Sequence, residues 1–334
     1  MMARGLSGQM KRWLFWALLK ARLRRHGLIV LAQLFRVNAL RGVLARVPVV
    51  LMRLPRRWRG VGYSRSYQNL QLFDLCAERC RILACQHSAI QLQRGLYQHL
   101  YQSHKPAHLR AWIRSIAWSD PGDHWQRSLR RRTIIALPHC GEYWMAVAGV
   151  VERRTSPTRF IIPIWNFRDP FTHGSIKHLE GLGHVIEVLD SNDPRTALAI
   201  ARGVKRGDQV IIFCDLPVSL GGTRFGEPMA GRFFGRDAQF VKGPLFLASK
   251  LGCDLLLVGH RVRLGQRGEL RVLERIAHGP LDQMLPRWAE ALEGFLREAP
   301  QNWLYLPEME AFYQRQASSS EQRQTDLSTA IRRH

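Results

Sequence analysis

The sequence predicts an α/β fold, a central and largely parallel sheet flanked by helices, with basic helices at the N-terminus. Three observations predict it. Short apolar, β-prone runs recur at 133–137, 159–165, 185–189, 210–214 and 255–258, and strands buried on both faces read as such runs. Helix-length segments such as 194–205 and 245–251 separate them, and this alternation is the signature of βα units. The chain has 334 residues and is 46% hydrophobic, which suffices for a sizeable core and excludes global disorder.

In chain order, residues 1–60 read as a basic amphipathic segment. Lys and Arg reach 15 before the first acid, Asp74, against a net charge of +24 for the whole chain. Apolar runs at 13–19, 26–35 and 47–52 are each closed by Arg or Lys. A spanning helix needs ~18 or more uninterrupted apolar residues, so none is predicted. Cations recurring throughout the segment also argue against a signal peptide. Short basic helices carrying Trp13, Phe15, Trp16, Leu31 and Phe35 suit an anionic lipid interface, where each nearby cation adds about 1 kcal/mol. The alternative is packing on the protein's own core with Arg snorkelling outward. Nucleic acid is the other partner that such charge invites. There is no zinc-finger spacing, RNP strand or recognisable helix-turn-helix, so no specific nucleic-acid partner is expected.

Residues 61–313 form the expected α/β domain. Apolar residues at mixed three and four spacing predict helix from Tyr67 to about Trp125, until Asp120-Pro121-Gly122-Asp123 breaks it. The run at 133–137 then leads into a Pro-His-Cys-Gly corner and a helix through Val151. Residues 314–334 are rich in Gln, Ser and Arg and read as a poorly ordered tail. Six Cys with no paired C-x-x-C framework fit a reducing compartment.

Ligands of open α/β sheets sit at the carboxyl ends of strands, which points first to His139. Glu142, three positions on, would share its side of the following helical turn and could orient the imidazole as a base. A His that merely caps a helix beside a first-turn Glu fits the spacing equally. Asp215 ends the run at 210–214 and opens a loop containing Gly221 and Gly222. Arg232, Arg236 and Lys242 surround a Gly-rich turn before the helix at 245–251, either an anion site or a solvated hairpin. Cys140 beside His139 reads as a structural thiol. So do Cys76 and Cys80, whose helical spacing lacks the further ligands of a metal site; Cys85 falls on the opposite helical face.

The ordered blocks Pro138-His139-Cys140-Gly141-Glu142-Tyr143-Trp144, Phe213-Cys214-Asp215, Phe233-Phe234-Gly235-Arg236 and Gly243-Pro244 resemble the bacterial lipid A biosynthesis (lauroyl/myristoyl) acyltransferase family. Tyr67-Gln68-Asn69-Leu70 and Pro300-Gln301-Asn302-Trp303-Leu304-Tyr305 extend the resemblance to roughly residues 60–312. It implies a glycerolipid acyltransferase-like fold and transfer of an acyl group from a carrier-protein thioester to a hydroxyl or amine of a lipid A-like acceptor. It implies His139 as general base, Asp215 as a strand-end acid that orders its loop and contacts substrate, and Arg232, Arg236 and Lys242 as phosphate contacts.

No metal or cofactor is expected beyond the phosphopantetheine-borne thioester. The implied partners are an acyl or peptidyl carrier protein and an anionic membrane surface, at the cytoplasmic face of the inner membrane. The family's His is followed five positions later by an acid, where this chain has Trp144; either Glu142 takes that role or the dyad is broken. Two other readings stay open: acyl or aminoacyl transfer in specialised metabolism, and a lipid-binding protein without turnover.

Overall fold

The computed structural model describes residues 60–313 except 221–222 and 267, together with six helical positions nearer the N-terminus: Gly27, Val30, Leu34, Val43, Arg46 and Val50. The rest of the basic N-terminal segment, the tail at 314–334 and the Gly221-Gly222 pair lie outside the described residues.

The architecture is α/β. Helices α1 (Gly60–Leu70), α2 (Ala77–Ser103) and α3 (Pro106–Arg114) precede a short strand β1 (Ala117–Ser119) and helix α4 (His124–Leu129). The expected helical stretch is thus interrupted three times, at a left-handed Asp74 (φ 56°), at the extended His104 and Lys105, and at β1. The break at Asp120 holds, because its carboxylate accepts the backbone N–H groups of His124 and Trp125 at 3.0 and 2.9 Å, capping α4.

From there strands and helices alternate as expected: β2 (Thr133–Leu137), α5 (Tyr143–Glu152), β3 (Arg159–Ile164), α6 (Pro170–Lys177), β4 (Val185–Asp190), α7 (Thr196–Arg206) and β5 (Gln209–Phe213). Two hairpins follow, β6–β7 (Ser219–Leu220, Thr223–Arg224) and β8–β9 (Pro228–Phe233, Arg236–Val241). Then come α8 (Gly243–Leu251), β10 (Asp254–Arg261), β11 (Glu269–Ile276) and α9 (Leu281–Glu298), and the described chain closes with 3₁₀ turns at Pro300–Asn302 and Leu306–Phe312.

Seven strands form one sheet in the order β1-β11-β10-β2-β5-β3-β4, parallel at every pairing except β10 with β11. Alternation along β2 explains why its residues from Ile134 to Leu137 are all apolar. Ile134 and Ala136 face a core containing Phe240 and Trp288, whereas Ile135 and Leu137 face the opposite core with Val147 and Phe160. Burying each of these larger side chains is worth roughly 1.5–3 kcal/mol, so neither face of the strand between Ile134 and Leu137 is open to water. β2 is therefore central, and its carboxyl end opens where helices from both layers begin.

Candidate active site

The pairing of β2 with β5 builds the site. Leu137 lies opposite Phe213, so the residues two positions beyond each strand end, His139 and Asp215, emerge side by side. The His139 Nδ1 stands 2.6 Å from Asp215 Oδ1. The other carboxylate oxygen accepts the His139 backbone N–H at 2.8 Å and the Trp303 indole N–H at 2.9 Å. The Asp215 side chain is fully buried. An ionised carboxylate only accepts hydrogen bonds, so Nδ1 carries the proton and Nε2 keeps its lone pair. Phe213 stacks on the imidazole with 4.3 Å between ring centroids, and Tyr143 and Tyr305 approach edge-on at 4.9 and 5.3 Å.

Glu142 does not orient His139, contrary to the sequence-based expectation. Gly141 is left-handed (φ 58°), and Glu142 precedes α5 with non-helical torsions, so no helical step links positions 139 and 142. The buried Glu142 carboxylate instead accepts Gln93 Nε2 at 2.9 Å, and Gln93 Oε1 accepts the backbone N–H of Gly265 at 3.1 Å. Glu142 thus ties the corner to α2 and to the β10–β11 connection. Asp215, expected to order its loop and contact substrate, supplies the orienting carboxylate.

The corner is fixed by its backbone as well. The N–H of Gly141 donates to Asn302 O at 2.8 Å, that of Glu142 to His260 Nδ1 at 2.9 Å and that of Leu304 to His139 O at 2.9 Å. Only glycine fits at 141, where a Cβ would lie 2.8 Å from His260 O. Accepting from Glu142 makes the buried His260 neutral, and burial lowers its pKa to about 3.

Three groups beside the dyad carry no expected role from sequence. The Arg94 guanidinium lies over the Tyr143 ring, 5.1 Å from its centroid, and its charge is felt by Tyr143, Tyr305 and Glu142. Burial raises the pKa of both phenols, with Asp215 adding to the effect, so each remains a hydrogen-bond donor. Burial also pushes the Cys140 thiol well above its ordinary range, reinforced by the Asp215 charge, so Cys140 is a poor nucleophile. Among the described residues no group of three or more His, Cys, Asp or Glu is placed to hold a metal ion.

The three expected phosphate contacts are not brought together. Phe233 pairs with Arg236 and Pro228 with Val241, so Arg232 and Arg236 flank the hairpin turn while Lys242 lies beyond the other end. At ~3.4 Å per residue those ends are roughly 20 Å apart. Arg232 donates to Gly235 O at 2.8 Å, Arg236 pairs with Glu310 at 3.3 Å and Lys242 lies 3.5 Å from Glu227. A stretch close in sequence thus becomes two ends of a ribbon, and the joint anion site is not formed.

His139 lines a cavity of about 540 Å³ at the carboxyl ends of β2 to β5, closed by the start of α8 and by Tyr305. No Lys or Arg lines it. Its polar side chains are largely engaged within the protein: Thr172 donates to Asp169, Thr196 to Asp190 O, and Asp193 accepts the Arg195 N–H. What remains is a mostly apolar chamber with the His139 imidazole on its wall. Neither a protein-family model nor a curated protein matches the sequence.

Proposed function

We propose that the protein transfers an acyl group from a carrier-bound thioester to a hydroxyl or amine of a glycolipid-like acceptor, with His139 as general base and Asp215 as its orienting acid. The observation that carries this reading is the 2.6 Å His139–Asp215 pair on the wall of an apolar cavity. Nε2 takes the acceptor's proton as its oxygen or nitrogen bonds to the thioester carbon. The imidazolium is stabilised by Asp215, which stays ionised. Collapse of the tetrahedral intermediate breaks the carbon–sulfur bond, and the departing thiolate recovers the proton from Nε2, leaving an ester or amide and a free thiol.

The oxyanion needs donors. The backbone N–H groups of Cys140, Gly141 and Glu142 are already engaged, so the phenols of Tyr143 and Tyr305 are assigned this role, with the Arg94 charge behind them. An acyl chain suits the cavity, whose lining is mostly apolar and holds no cation.

Attachment to the cytoplasmic membrane surface belongs to the same reading. Among the described residues no helix is long and apolar enough to cross a membrane. The helical positions Val30, Leu34, Val43 and Val50 are 41–63% exposed, apolar surface suited to lipid. High salt should release much of the protein from anionic vesicles; retention after salt and carbonate washes opposes peripheral binding.

The deciding experiment incubates the purified full chain with acyl-loaded carrier protein and an acceptor lipid. Transfer that His139→Ala removes almost entirely is the expected result. Equal transfer by folded His139→Ala refutes the base assignment, and no transfer from any loaded carrier favours a binding protein without turnover.

A further inference from the structure

We infer that the cavity selects an acyl group bearing an aromatic ring or conjugated double bonds over a saturated chain of the same length. This rests on the acyl-transfer reading of the site and names its substrate class. The argument starts from the walls. Seven of the 24 lining residues are Phe, Trp or Tyr, whereas these make up 9% of the chain, so the lining is about three times richer in aromatic rings than the protein.

The rings occur at both ends of the chamber. Near the dyad, Phe213 stacks on His139, and Trp144 approaches Phe213 with centroids 5.9 Å apart. Beyond the end of β3, Trp165 and Phe225 pair at 4.7 Å and 63°. A saturated chain would gain burial from these walls and little else. A planar π-system would gain the same burial plus ring–ring terms at each aromatic pair, because quadrupoles favour edge-to-face and offset contacts at such separations. A conjugated chain also has fewer free rotors to fix on binding. A sugar or phosphate group finds no cation in the lining and few uncommitted polar groups.

The test uses fatty-acid probes whose carboxylates are identical, so that only the chain differs. All-trans-parinaric acid, with four conjugated double bonds, is titrated into the full-length protein by its fluorescence and then displaced with stearic acid, its saturated counterpart of equal length. The displacement curve should give stearic acid a dissociation constant about ten-fold above the one titrated for parinaric acid. Trp165→Leu and Phe225→Leu, which keep the wall apolar, should each narrow that ratio several-fold, with circular dichroism unchanged.

Equal dissociation constants for the two acids overturn the inference, as does an unaltered ratio in both folded variants or no binding of either acid. Displacement reads binding alone, so its failure is distinguishable from failure of the chemistry. A protein that discriminates between the chains but transfers neither overturns only the acyl-transfer reading.

Discussion

Replacing Asp215 with Asn probes the dyad most directly, because the amide must choose which of three donors to serve. The carboxylate accepts the His139 Nδ1–H, the His139 backbone N–H and the Trp303 indole N–H. An Asn oxygen in place of Oδ2 keeps the latter two and turns its NH₂ toward Nδ1. The imidazole then presents a lone pair at Nδ1 and carries its proton on Nε2, the nitrogen that has to accept. The flipped amide serves Nδ1 but sets two fixed N–H groups against an NH₂, which is worse.

Asp215→Asn should therefore lower the transfer rate by about 10⁴-fold, the scale seen for an inverted tautomer in a His-acid pair, or about 5 kcal/mol of barrier. Losing one charge-assisted hydrogen bond should remove about 1.5–3 kcal/mol of stability, a fall in Tm of roughly 5 °C. The assay is single-turnover transfer from a loaded carrier protein, with circular dichroism as the folding control. Glu142→Gln is the companion variant, and its loss should stay within about ten-fold because Glu142 does not touch the imidazole. A loss under ten-fold for folded Asp215→Asn, or a larger loss for Glu142→Gln, refutes the assignment.

Other outcomes follow from neighbouring groups. Trp303→Phe keeps the ring and removes one donor to Asp215, so kcat should fall about ten-fold with KM little changed; an effect on KM alone would contradict a role through the dyad. Gly141→Ala should destabilise the fold by about 1–3 kcal/mol, since position 141 is left-handed and a Cβ would meet the His260 carbonyl, and urea unfolding measures it. Burial lowers the pKa of His260 to about 3 and of His87 to about 4, against about 6.5 in an unfolded chain. The unfolded state thus binds more protons below pH 6.5, and stability falls as the pH drops from there toward 4. Between pH 7.5 and 5.5 the loss should be about 2 to 3 kcal/mol. His87→Gln and His260→Gln should each flatten the slope; equal stability at both values would show that neither imidazole is held neutral.

Much of the fold was legible because strands buried on both faces leave runs of apolar residues, as at Ile134 to Leu137. Strand β11 was not, since its residues alternate in burial and carry Glu269, Arg271, Glu274 and Arg275. The position of His139 was legible from the strand-to-helix corner alone. Its partner was not, because Asp215 is 76 residues away and arrives through the register of β2 against β5. Glu142 looked plausible only under helical geometry that the left-handed Gly141 prevents. The three cations looked clustered because a linear sequence does not show that a tight turn at Phe234 and Gly235 sends residues 232 and 242 to opposite ends of a ribbon.

The attachment of the His139 corner to residues 300–305 makes the final stretch of the described chain part of the candidate site rather than a trailing end. A polypeptide terminated at Ala299 would retain all seven strands of the sheet and every residue of both α8 and α9. It would lack the indole that holds Asp215, the Asn302 carbonyl that receives Gly141 and the Tyr305 wall of the chamber. During synthesis the sheet can therefore be complete, with His139 beside Asp215, while the contacts that brace the pair are still missing. Nonsense truncations in this short window should separate a protein that folds from one that turns over.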